Sequence, residues 1–325
     1  MKHVSILVLK EARLNSIEEP YQAFEEVNNI LVAEGKLPLF KVQLVGLSKE
    51  TKLNNGLYTV NINTLLKDIK KTDLIIIPAV QGNLKDAIKL NQEFIPWILK
   101  QYKNGAEVAS LCVGAFLLAS TGLLKGKQCS THWRAAGDFR KTFPDVKLVV
   151  DKIITDEQGI YSSGGAFSSA NLILYLVEKY AGRKVAVHCA KMFQIDIERG
   201  SQSPFIMFKG QKEHDDKSIR KAQEYIENNF HEKITVNQLA SMLALSRRNL
   251  ERRFKKATAN TVIEYIQRVK IEAAKMSLES SRANVSEVMY KIGYSDPKSF
   301  RVTFKKITGL SPIQYRNKYN RELAA

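Results

Sequence analysis

The sequence predicts two domains of different fold class: a doubly wound α/β domain over residues 1–208 and an all-α domain over 218–325. Three observations support this division. Before residue 209, fully apolar runs such as LIII within 74–78 alternate with helical patterns, as expected of parallel strands covered by helices on both faces. The stretch KGQKEHDDK at 209–217 is polar throughout and is interpreted as a linker. After it no strand pattern remains, and an internal repeat appears.

Composition narrows the class of protein before any motif is considered. The chain has 325 residues, of which 44% are hydrophobic and 26% charged, a globular mixture that excludes a mostly disordered chain. Three cysteines are too few, and odd in number, for a disulfide-built secreted fold. We therefore expect reduced thiols and a cytoplasmic location. No membrane span is expected, since the uncharged stretch 108–124 is short and contains polar residues.

The predicted elements of the first domain alternate in type along the chain. Strands are predicted at 4–9, 41–46, 74–78, 108–111 and 147–150, and helices at 18–33, 93–103, 115–123, 133–142 and 168–180. In such a sheet, ligands bind beyond the carboxyl ends of the strands. Candidate binding residues are therefore sought in the loops that follow strands.

The second domain is predicted to be helical throughout and to contain a repeat. Its helices are expected near 217–230, 236–243, 247–257, 261–278, 285–292, 297–306 and 312–320. Apolar and aromatic positions, with a pair of lysines, return 50 residues later, so that Leu250, Phe254 and Tyr265 become Phe300, Phe304 and Tyr315. Each copy starts with a helix-capping pattern, Thr235 with Gln238 and Asn284 with Glu287. A short helix, a turn and a second helix follow, which predicts two helix-turn-helix units.

The second helix of each copy has the character of a DNA-reading helix. Residues 210–325 hold 23 Lys and Arg against 13 Asp and Glu, and a basic segment predicts a polyanionic partner. In the first copy, Leu250 and Phe254 share one helix face and should be buried, which leaves the basic side chains outside. In the major groove, arginine can bind guanine through two hydrogen bonds, and valine can meet a thymine methyl. The predicted DNA-facing residues are Arg247, Arg248, Glu251, Arg252, Lys255 and Lys256 in the first copy, and Lys298, Ser299, Arg301, Val302 and Lys305 in the second.

These features together resemble the DNA-binding domain of the AraC/XylS family of transcription regulators. The resemblance covers about residues 218–318 and rests on the motif IGYSD at 292–296, followed by Phe300, Phe304, Gly309, Ser311, Pro312, Tyr315 and Arg316. It implies two helix-turn-helix units joined by a long helix at about 261–278. Where the family usually has Gly and Pro, the first copy has Ala259 and Val262. We therefore expect a less sharply made helix end there.

The most informative residue of the first domain is Cys112. A predicted strand runs into it, and a predicted helix leaves from Gly114, an order that resembles a nucleophile elbow. Because a helix N-terminus lowers the pKa of a nearby thiol, we expect the thiolate of Cys112 to be favoured. Cys129 and Cys189 have no such context.

The first domain resembles the ThiJ/PfpI group of the class I glutamine amidotransferase-like superfamily, in particular the GlxA-like regulators that fuse it to an AraC-type domain. The resemblance covers about residues 2–195 and rests on SLCVGA at 110–115, LASTGLL at 118–124, THW at 131–133 and SGG at 163–165. It implies a pocket for a small, nitrogen-containing or amino-acid-like effector. Gly164 and Gly165 either offer backbone N–H groups to an anion or form a tight turn, and Glu18 and Glu19 either pair with a cationic ligand or start a helix in solvent. The predicted pocket residues are Cys112, Val113, Glu19, His132, Gly164 and Gly165.

An enzyme is the alternative function, with Cys112 and His132 as the candidate catalytic residues. Proteolytic members of the group carry His directly after the cysteine, where this chain has Val113, and hydratase-like members carry Asp where it has Ser16. A cysteine nucleophile needs a base and a group that orients it. These departures favour a sensor over a hydrolase or hydratase, and a redox sensor acting through Cys112 is a third alternative.

We interpret the chain as a sequence-specific DNA-binding transcription regulator, not an enzyme, whose α/β domain senses a small metabolite. No cofactor is expected, because no nucleotide-binding motif occurs, and no metal, because the histidines have no metal-ligand spacing. The expected partners are double-stranded DNA, a small-molecule effector and a second copy in a homodimer, with RNA polymerase as a further candidate. The predicted fold class is a flavodoxin-like, doubly wound α/β domain followed by an all-α domain with two helix-turn-helix units.

Overall fold

The computed structural model describes residues 1–197, 200–208, 210–212 and 214–320. The chain forms two compact units, Met1–Gln202 and Ser203–Ala325. The division lies upstream of the predicted linker, because residues 203–208 are bonded to helices of the second unit. Lys209 and Glu213 of the predicted linker lie outside the described residues.

The first unit contains both parallel and antiparallel strand pairs. They are β1 (Lys2–Leu7), β2 (Phe40–Gly46), β3 (Glu50–Leu53), β4 (Tyr58–Asn61), β5 (Thr64–Leu65), β6 (Leu74–Ile77), β7 (Glu107–Ser110), β8 (Gln128–Cys129), β9 (Lys147–Leu148), β10 (Ile154–Glu157) and β11 (Ile160–Ser163). Seven of them form one sheet in the order β10-β11-β7-β6-β1-β2-β5. Neighbours are parallel except β10 with β11. The strand order reverses between β1 and β6, which is the doubly wound, flavodoxin-like arrangement.

Two groups of helices pack with this sheet. The helices are α1 (Asn15–Ala33), α2 (Leu84–Leu90), α3 (Phe94–Lys103), α4 (Ala115–Ser120), α5 (Ala136–Thr142), α6 (Ser169–Ala181) and α7 (Arg183–Met192). α1 packs with α6 and α7, and α4 packs with α2 and α3. The middle strand β6 is buried along its whole length, as its LIII sequence predicts. The fold class predicted for this domain is confirmed.

The strand predicted at 147–150 is present as Lys147–Leu148 but lies outside the main sheet, and several other elements were not predicted. Lys147–Leu148 does not join the main sheet but pairs with Gln128–Cys129 in a separate two-stranded sheet. β11 was missed although it is paired on both sides, because four residues reading IYSS carry no apolar run. The hairpin of β3 and β4 and the short helix α2 were also missed.

The second unit is helical in its described residues. Its helices are α8 (Lys217–Asn228), α9 (Val236–Met242), α10 (Arg247–Thr258), α11 (Val262–Ser280), α12 (Val285–Lys291), α13 (Pro297–Thr308) and α14 (Pro312–Tyr319). They bury two separate apolar cores, one around Leu250 and Phe254 and one around Phe300 and Phe304. The predicted duplication is therefore present as two small packed bodies that share α11.

No described helix combines the length and the apolar composition that crossing a bilayer requires.

Candidate functional site

The first helix of each helix-turn-helix unit begins with the same capping chemistry. In the first copy, the Thr235 hydroxyl accepts from the backbone N–H of Gln238 at 3.1 Å, and the Gln238 side chain bonds back to the Thr235 N–H. In the second copy, Asn284 and Glu287 make the same reciprocal pair at 2.9 and 2.7 Å. These bonds satisfy N–H groups that a helix start leaves unpaired, and they confirm both capping patterns read from the sequence.

The second helices, α10 and α13, bury one face and expose the other, as predicted. Leu250, Phe254, Phe300 and Phe304 are buried. Ser246 caps α10, and Asp296 caps α13 with Pro297 at its first position. All of the predicted DNA-facing side chains are exposed: Arg247, Arg248, Glu251, Arg252, Lys255, Lys256, Lys298, Ser299, Arg301, Val302 and Lys305.

The outward-facing arginines Arg247 and Arg252 of α10 are only weakly engaged by their neighbours. Arg247 Nε lies 3.1 Å from Glu251 Oε1, and Arg252 donates to the Asn249 side-chain oxygen at 3.1 Å. Arg247 and Glu251 are both exposed, and an exposed pair of this kind stabilises a fold by about 0.2–1 kcal/mol. These arginines can therefore exchange their present partners for a phosphate or a base at little cost.

Arg253 is a basic residue of α10 that holds the fold together and does not face outward. Its guanidinium bonds both carboxylate oxygens of Asp216, at 2.8 and 2.5 Å. Asp216 in turn caps α8 by accepting from the Ile219 N–H at 3.2 Å. The hydrogen bonds from Arg253 keep the pKa of the Asp216 carboxyl below its ordinary value. This pair was not predicted from the sequence, although an aspartate directly before an amphipathic helix is a capping signal.

The expectation of a less sharply made helix end at Ala259 was wrong. Ala259 adopts the left-handed conformation, with φ of +57°, and its N–H bonds the Lys255 carbonyl. Gly309 ends α13 in the same way, with φ of +77°. Alanine tolerates this conformation at a cost, so the helix ends in the same place in both copies.

The predicted elbow at Cys112 is present in the first unit. Cys112 follows β7 with φ of +54° and opens a 3-10 turn, Cys112–Gly114, that leads into α4. A Cβ on Gly114 would lie 2.6 Å from the Pro78 carbonyl oxygen. Only glycine lets the elbow approach the end of β6 this closely.

The surroundings of Cys112 contradict the expected thiolate. Its N–H donates to Ser163 Oγ at 3.1 Å, its carbonyl accepts from Thr131 Oγ1 at 2.9 Å, and the residue is only 7% exposed. Burial raises the pKa of the Cys112 thiol, although the backbone N–H groups of Ala166 and Val113 act in the opposite direction. The prediction of a lowered pKa was wrong because removal from water outweighs the helix-terminus effect.

His132 and the glycine pair lie together beside the elbow. A Cβ on Gly165 would fall 2.4 Å from the His132 ring, and one on Gly164 would fall 2.9 Å from the side chain of Gln202. The Gly164 N–H bonds the Ile153 carbonyl, and the Gly165 N–H bonds Gln202 Oε1. Both N–H groups are therefore engaged, which corrects the idea that they are open to an anion. Burial lowers the pKa of His132 and favours the neutral ring.

A cavity of about 520 Å³ lies at the start of α1 and α6. Of the predicted pocket residues, Glu19 lines it, whereas Cys112, Val113, His132, Gly164 and Gly165 do not. Glu19 accepts from Ser169 Oγ at 2.6 Å, and burial raises the pKa of its carboxyl. The lining is acidic and apolar, with no lysine or arginine among its described residues: Asn15, Glu18, Glu19, Gln22, Ala23, Phe167, Ala170, Asn171, Ile173, Leu174, Phe193, Gln194, Ile195 and Asp196.

Ser16, at the position where hydratase-like members of the group carry Asp, stabilises the fold through its hydroxyl. The Ser16 hydroxyl donates to the Arg13 carbonyl at 2.7 Å and accepts from the Ala79 N–H at 3.1 Å. It thereby ties the start of α1 to the chain that leaves β6. Among the described residues, no group of three His, Cys, Asp or Glu side chains could hold a metal ion.

Two family models match the chain. The model of the DJ-1/PfpI family matches residues 2–179, and a model described as a helix-turn-helix domain matches residues 239–318.

Curated transcriptional regulators are similar to the chain across both units. The HTH-type transcriptional regulator CdhR of Pseudomonas aeruginosa is 24% identical over 276 residues, which are 81% of this chain and 77% of that regulator. The HTH-type transcriptional regulator GlxA of Rhizobium meliloti is 22% identical over 221 residues, 66% of either chain.

Solved structures match the chain at the level of fold. Drosophila melanogaster DJ-1beta has a TM-score of 0.51 at 17% identity, covering 60% of this chain and 98% of its own. A THiJ/PfpI family protein from Pseudomonas syringae has a TM-score of 0.50 at 15% identity, covering 75% and 90%.

Proposed function

The chain belongs to the DJ-1/PfpI family and carries a second, AraC-type helix-turn-helix domain, and on this premise we propose a sequence-specific DNA-binding transcription regulator whose α/β unit senses a small molecule. CdhR and GlxA, to which it is similar over both units, are named transcriptional regulators. Such a protein acts in the compartment that holds DNA.

The observation that carries this proposal is the pair of capped helices with exposed basic faces. α10 and α13 each bury two large apolar side chains and turn arginine or lysine outward. Like charges on one helix face repel one another unless an anion lies nearby. Duplex DNA supplies such an anion, and α10 and α13 would enter successive turns of its major groove.

Selection from a pool of random-sequence DNA duplexes tests the proposal with the full chain. We expect one enriched site with two short blocks about 10 base pairs apart, bound with an affinity that falls steeply as salt rises. Binding without any enriched sequence would leave only a nonspecific DNA-binding protein. No binding at low salt would overturn the proposal.

We propose the cavity at the start of α1 and α6 as the effector site, rather than the elbow. Its size is that of a small-molecule pocket, and its carboxylates, Glu18, Glu19 and Asp196, favour a cationic ligand with an apolar part. A thermal-shift screen of the full chain against amines, amino acids, betaines and nucleosides tests this. A ligand at 100 times its Kd adds about 2.7 kcal/mol of stability.

Two variants distinguish the cavity from the elbow. Glu19→Gln keeps the shape of the side chain but removes its charge, and should abolish the shift; Cys112→Ala should retain it. A thermal shift that Glu19→Gln retains and Cys112→Ala abolishes would place the ligand at the elbow. No shift with any compound would count against a small-molecule sensor of these classes.

We further propose that the α/β unit is not an enzyme, since Cys112 is buried as a thiol and neither Val113 nor Ser16 can act as an acid or base. A redox sensor is the second candidate, favoured by the elbow geometry alone. It requires peroxide to change DNA binding and Cys112→Ser to abolish that change. A homodimer and a contact with RNA polymerase are also proposals. Since the sequence has no coiled-coil heptads, the homodimer would be joined through the α/β unit.

A further inference from the structure

Gln202, the last residue of the first unit, is built into the loops beside the elbow. It is 1% exposed, and its Oε1 accepts from the Gly165 N–H at 3.1 Å while its Nε2 donates to the Thr131 carbonyl at 3.0 Å. Thr131 also bonds the Cys112 carbonyl through its hydroxyl. A shift of either loop, residues 130–134 or 163–168, therefore moves a hydrogen-bond partner of Gln202.

The next six residues, Ser203–Phe208, form a strap that is bonded to the second unit. The ammonium of Lys275, a residue only 3% exposed, donates to the Ile206 carbonyl at 2.6 Å. The Phe208 N–H donates to Glu272 Oε2 at 3.0 Å, and the Phe208 ring meets the Tyr265 ring edge-on, with centroids 5.1 Å apart. Lys275, Glu272 and Tyr265 all belong to α11, so the strap is held on the helix that the two helix-turn-helix units share.

The strap reaches both helix-turn-helix units. Phe208 packs against the first apolar core. At the other end, the 3-10 turn Ser203–Phe205 contacts α13, and the Lys318 ammonium of α14 lies 5.1 Å from the centroid of the Phe205 ring. Because the strap is bound at both ends, it restrains the two helix-turn-helix units relative to each other.

We propose that Gln202 and the strap transmit a change at the elbow loops to the setting of the two helix-turn-helix units. Gln202, which the loops hold, is followed directly in the chain by Ser203, where the strap held by α11 begins. The docked strap would be the discrete element that such coupling requires. This inference rests on the proposed regulator function, since it names the route by which that function would be controlled.

Hydrogen exchange of the full chain, without ligand or DNA, tests the route in the forward direction. Gln202→Ala should speed amide exchange in peptides covering residues 203–212 by about tenfold or more, while peptides from β1 and β6 stay protected. Gln92→Ala, which removes an exposed glutamine from the same unit, should leave the strap at the wild-type rate. Unchanged exchange of the strap in Gln202→Ala would overturn the proposal.

The reverse direction provides an independent test, because coupling between two sites must be reciprocal. Phe208→Ala releases the strap from α11 and should speed exchange in the loops 130–134 and 163–168 by about threefold or more. Met207→Ala, at the exposed neighbouring position, is the matched control. Faster strap exchange with loops that stay at the wild-type rate would also overturn the proposal. This arm holds even if Gln202→Ala fails to fold.

Binding of the same variants to random-sequence duplex DNA separates this inference from the proposed function. If hydrogen exchange in the strap and in the loops changes together but the chain does not bind DNA, the proposed regulator function is refuted and the proposed route stands. If the chain binds DNA but exchange in the strap and in the loops changes independently, only the proposed route is refuted.

Discussion

The two helix-turn-helix units place different residues at the same two strained backbone positions. In the turn between the helices, Ala244 of the first copy has φ of +51° and Gly293 of the second has φ of +76°. At the end of the second helix, Ala259 and Gly309 have φ of +57° and +77°. The fold demands left-handed backbone at both places, and the first copy meets that demand with a residue that disfavours it.

The neighbours decide whether alanine is tolerated at these positions. A Cβ on Gly293 would lie 2.1 Å from the His231 carbonyl oxygen, whereas one on Gly309 would meet atoms no closer than 3.7 Å. Glycine is therefore required at 293 by close approach and favoured at 309 only by its backbone freedom. The two left-handed positions of the second copy therefore call for glycine for different reasons.

The outward faces of the two copies differ in chemistry more than in charge. Fifty residues on, Arg252 of α10 becomes Val302 of α13, which is 61% exposed. Arg253, which bonds Asp216, becomes Thr303, which is buried. Lysine pairs follow Phe254 and Phe304 in both copies. The two copies therefore share their shape and the lysine pairs that we propose to bind phosphate, while the residues that we propose to read bases differ.

Gly293→Ala should break the second copy and is expected to have the largest effect. Because the added Cβ collides with backbone, we expect a loss of about 3 kcal/mol or more in the free energy of unfolding. Gly309→Ala, with space for its Cβ, should cost about 1 kcal/mol. Urea unfolding followed by helical circular dichroism measures both. Equal losses would show that close approach to His231 does not matter.

Arg252→Ala tests whether the outward faces of α10 and α13 contact DNA bases differently. We expect binding to the selected site to weaken by about 1–3 kcal/mol with relaxed choice at one base pair, and Val302→Ala to cost less than about 1 kcal/mol. Lys256→Ala should weaken all sequences alike and lower the salt slope by about one. Lys125→Ala removes the same charge from the first unit and should change neither. If Arg252→Ala and Lys256→Ala act identically, the division between base and phosphate contacts is wrong.

Asp216→Asn tests the ion pair that the first copy has and the second lacks. We expect a loss of about 1–2 kcal/mol at pH 7, because the bond to Arg253 is no longer assisted by charge, whereas asparagine caps a helix about as well as aspartate does. Since the pKa of Asp216 is lowered in the folded chain, its contribution is present above the ordinary carboxyl pKa of about 3.9 and is lost as the pH falls. Unfolding measured across pH 7 to 3 should show wild type and variant converging. A difference that does not shrink would assign the effect to packing.

Ala259→Gly should make the first copy resemble the second. Relief of the left-handed strain is expected to stabilise the chain by about 1 kcal/mol, which is the smallest of these effects and has the opposite sign. Thermal unfolding of the variant beside wild type and Gly309→Ala measures it. A variant no more stable than wild type would mean that the backbone at Ala259 carries no strain.

The helical unit was predictable almost to the residue from sequence alone. Helix starts are set by local capping, such as Thr235 with Gln238, and buried faces by a 3.6-residue period, as at Leu250 and Phe254. Both signals act within one turn, so they can be read from neighbouring letters. Parallel strands such as β6 were readable for a similar reason, since an apolar run identifies a strand buried on both faces.

Only the tertiary structure decided the properties that depend on residues distant in the sequence. The elbow at Cys112 was visible as a strand followed by a helix, but its ionisation was not, because burial by loops far along the chain outweighs the local helix terminus. The cavity at Glu19 joins α1 to residues 193–196, and no motif links them. Gln202 and Phe208 lie in a stretch without periodicity, and their hydrogen-bond partners Gly165, Thr131 and Glu272 are 37, 71 and 64 residues away. The sequence determined which elements form and which charges they carry, whereas packing decided which groups are buried and which are paired.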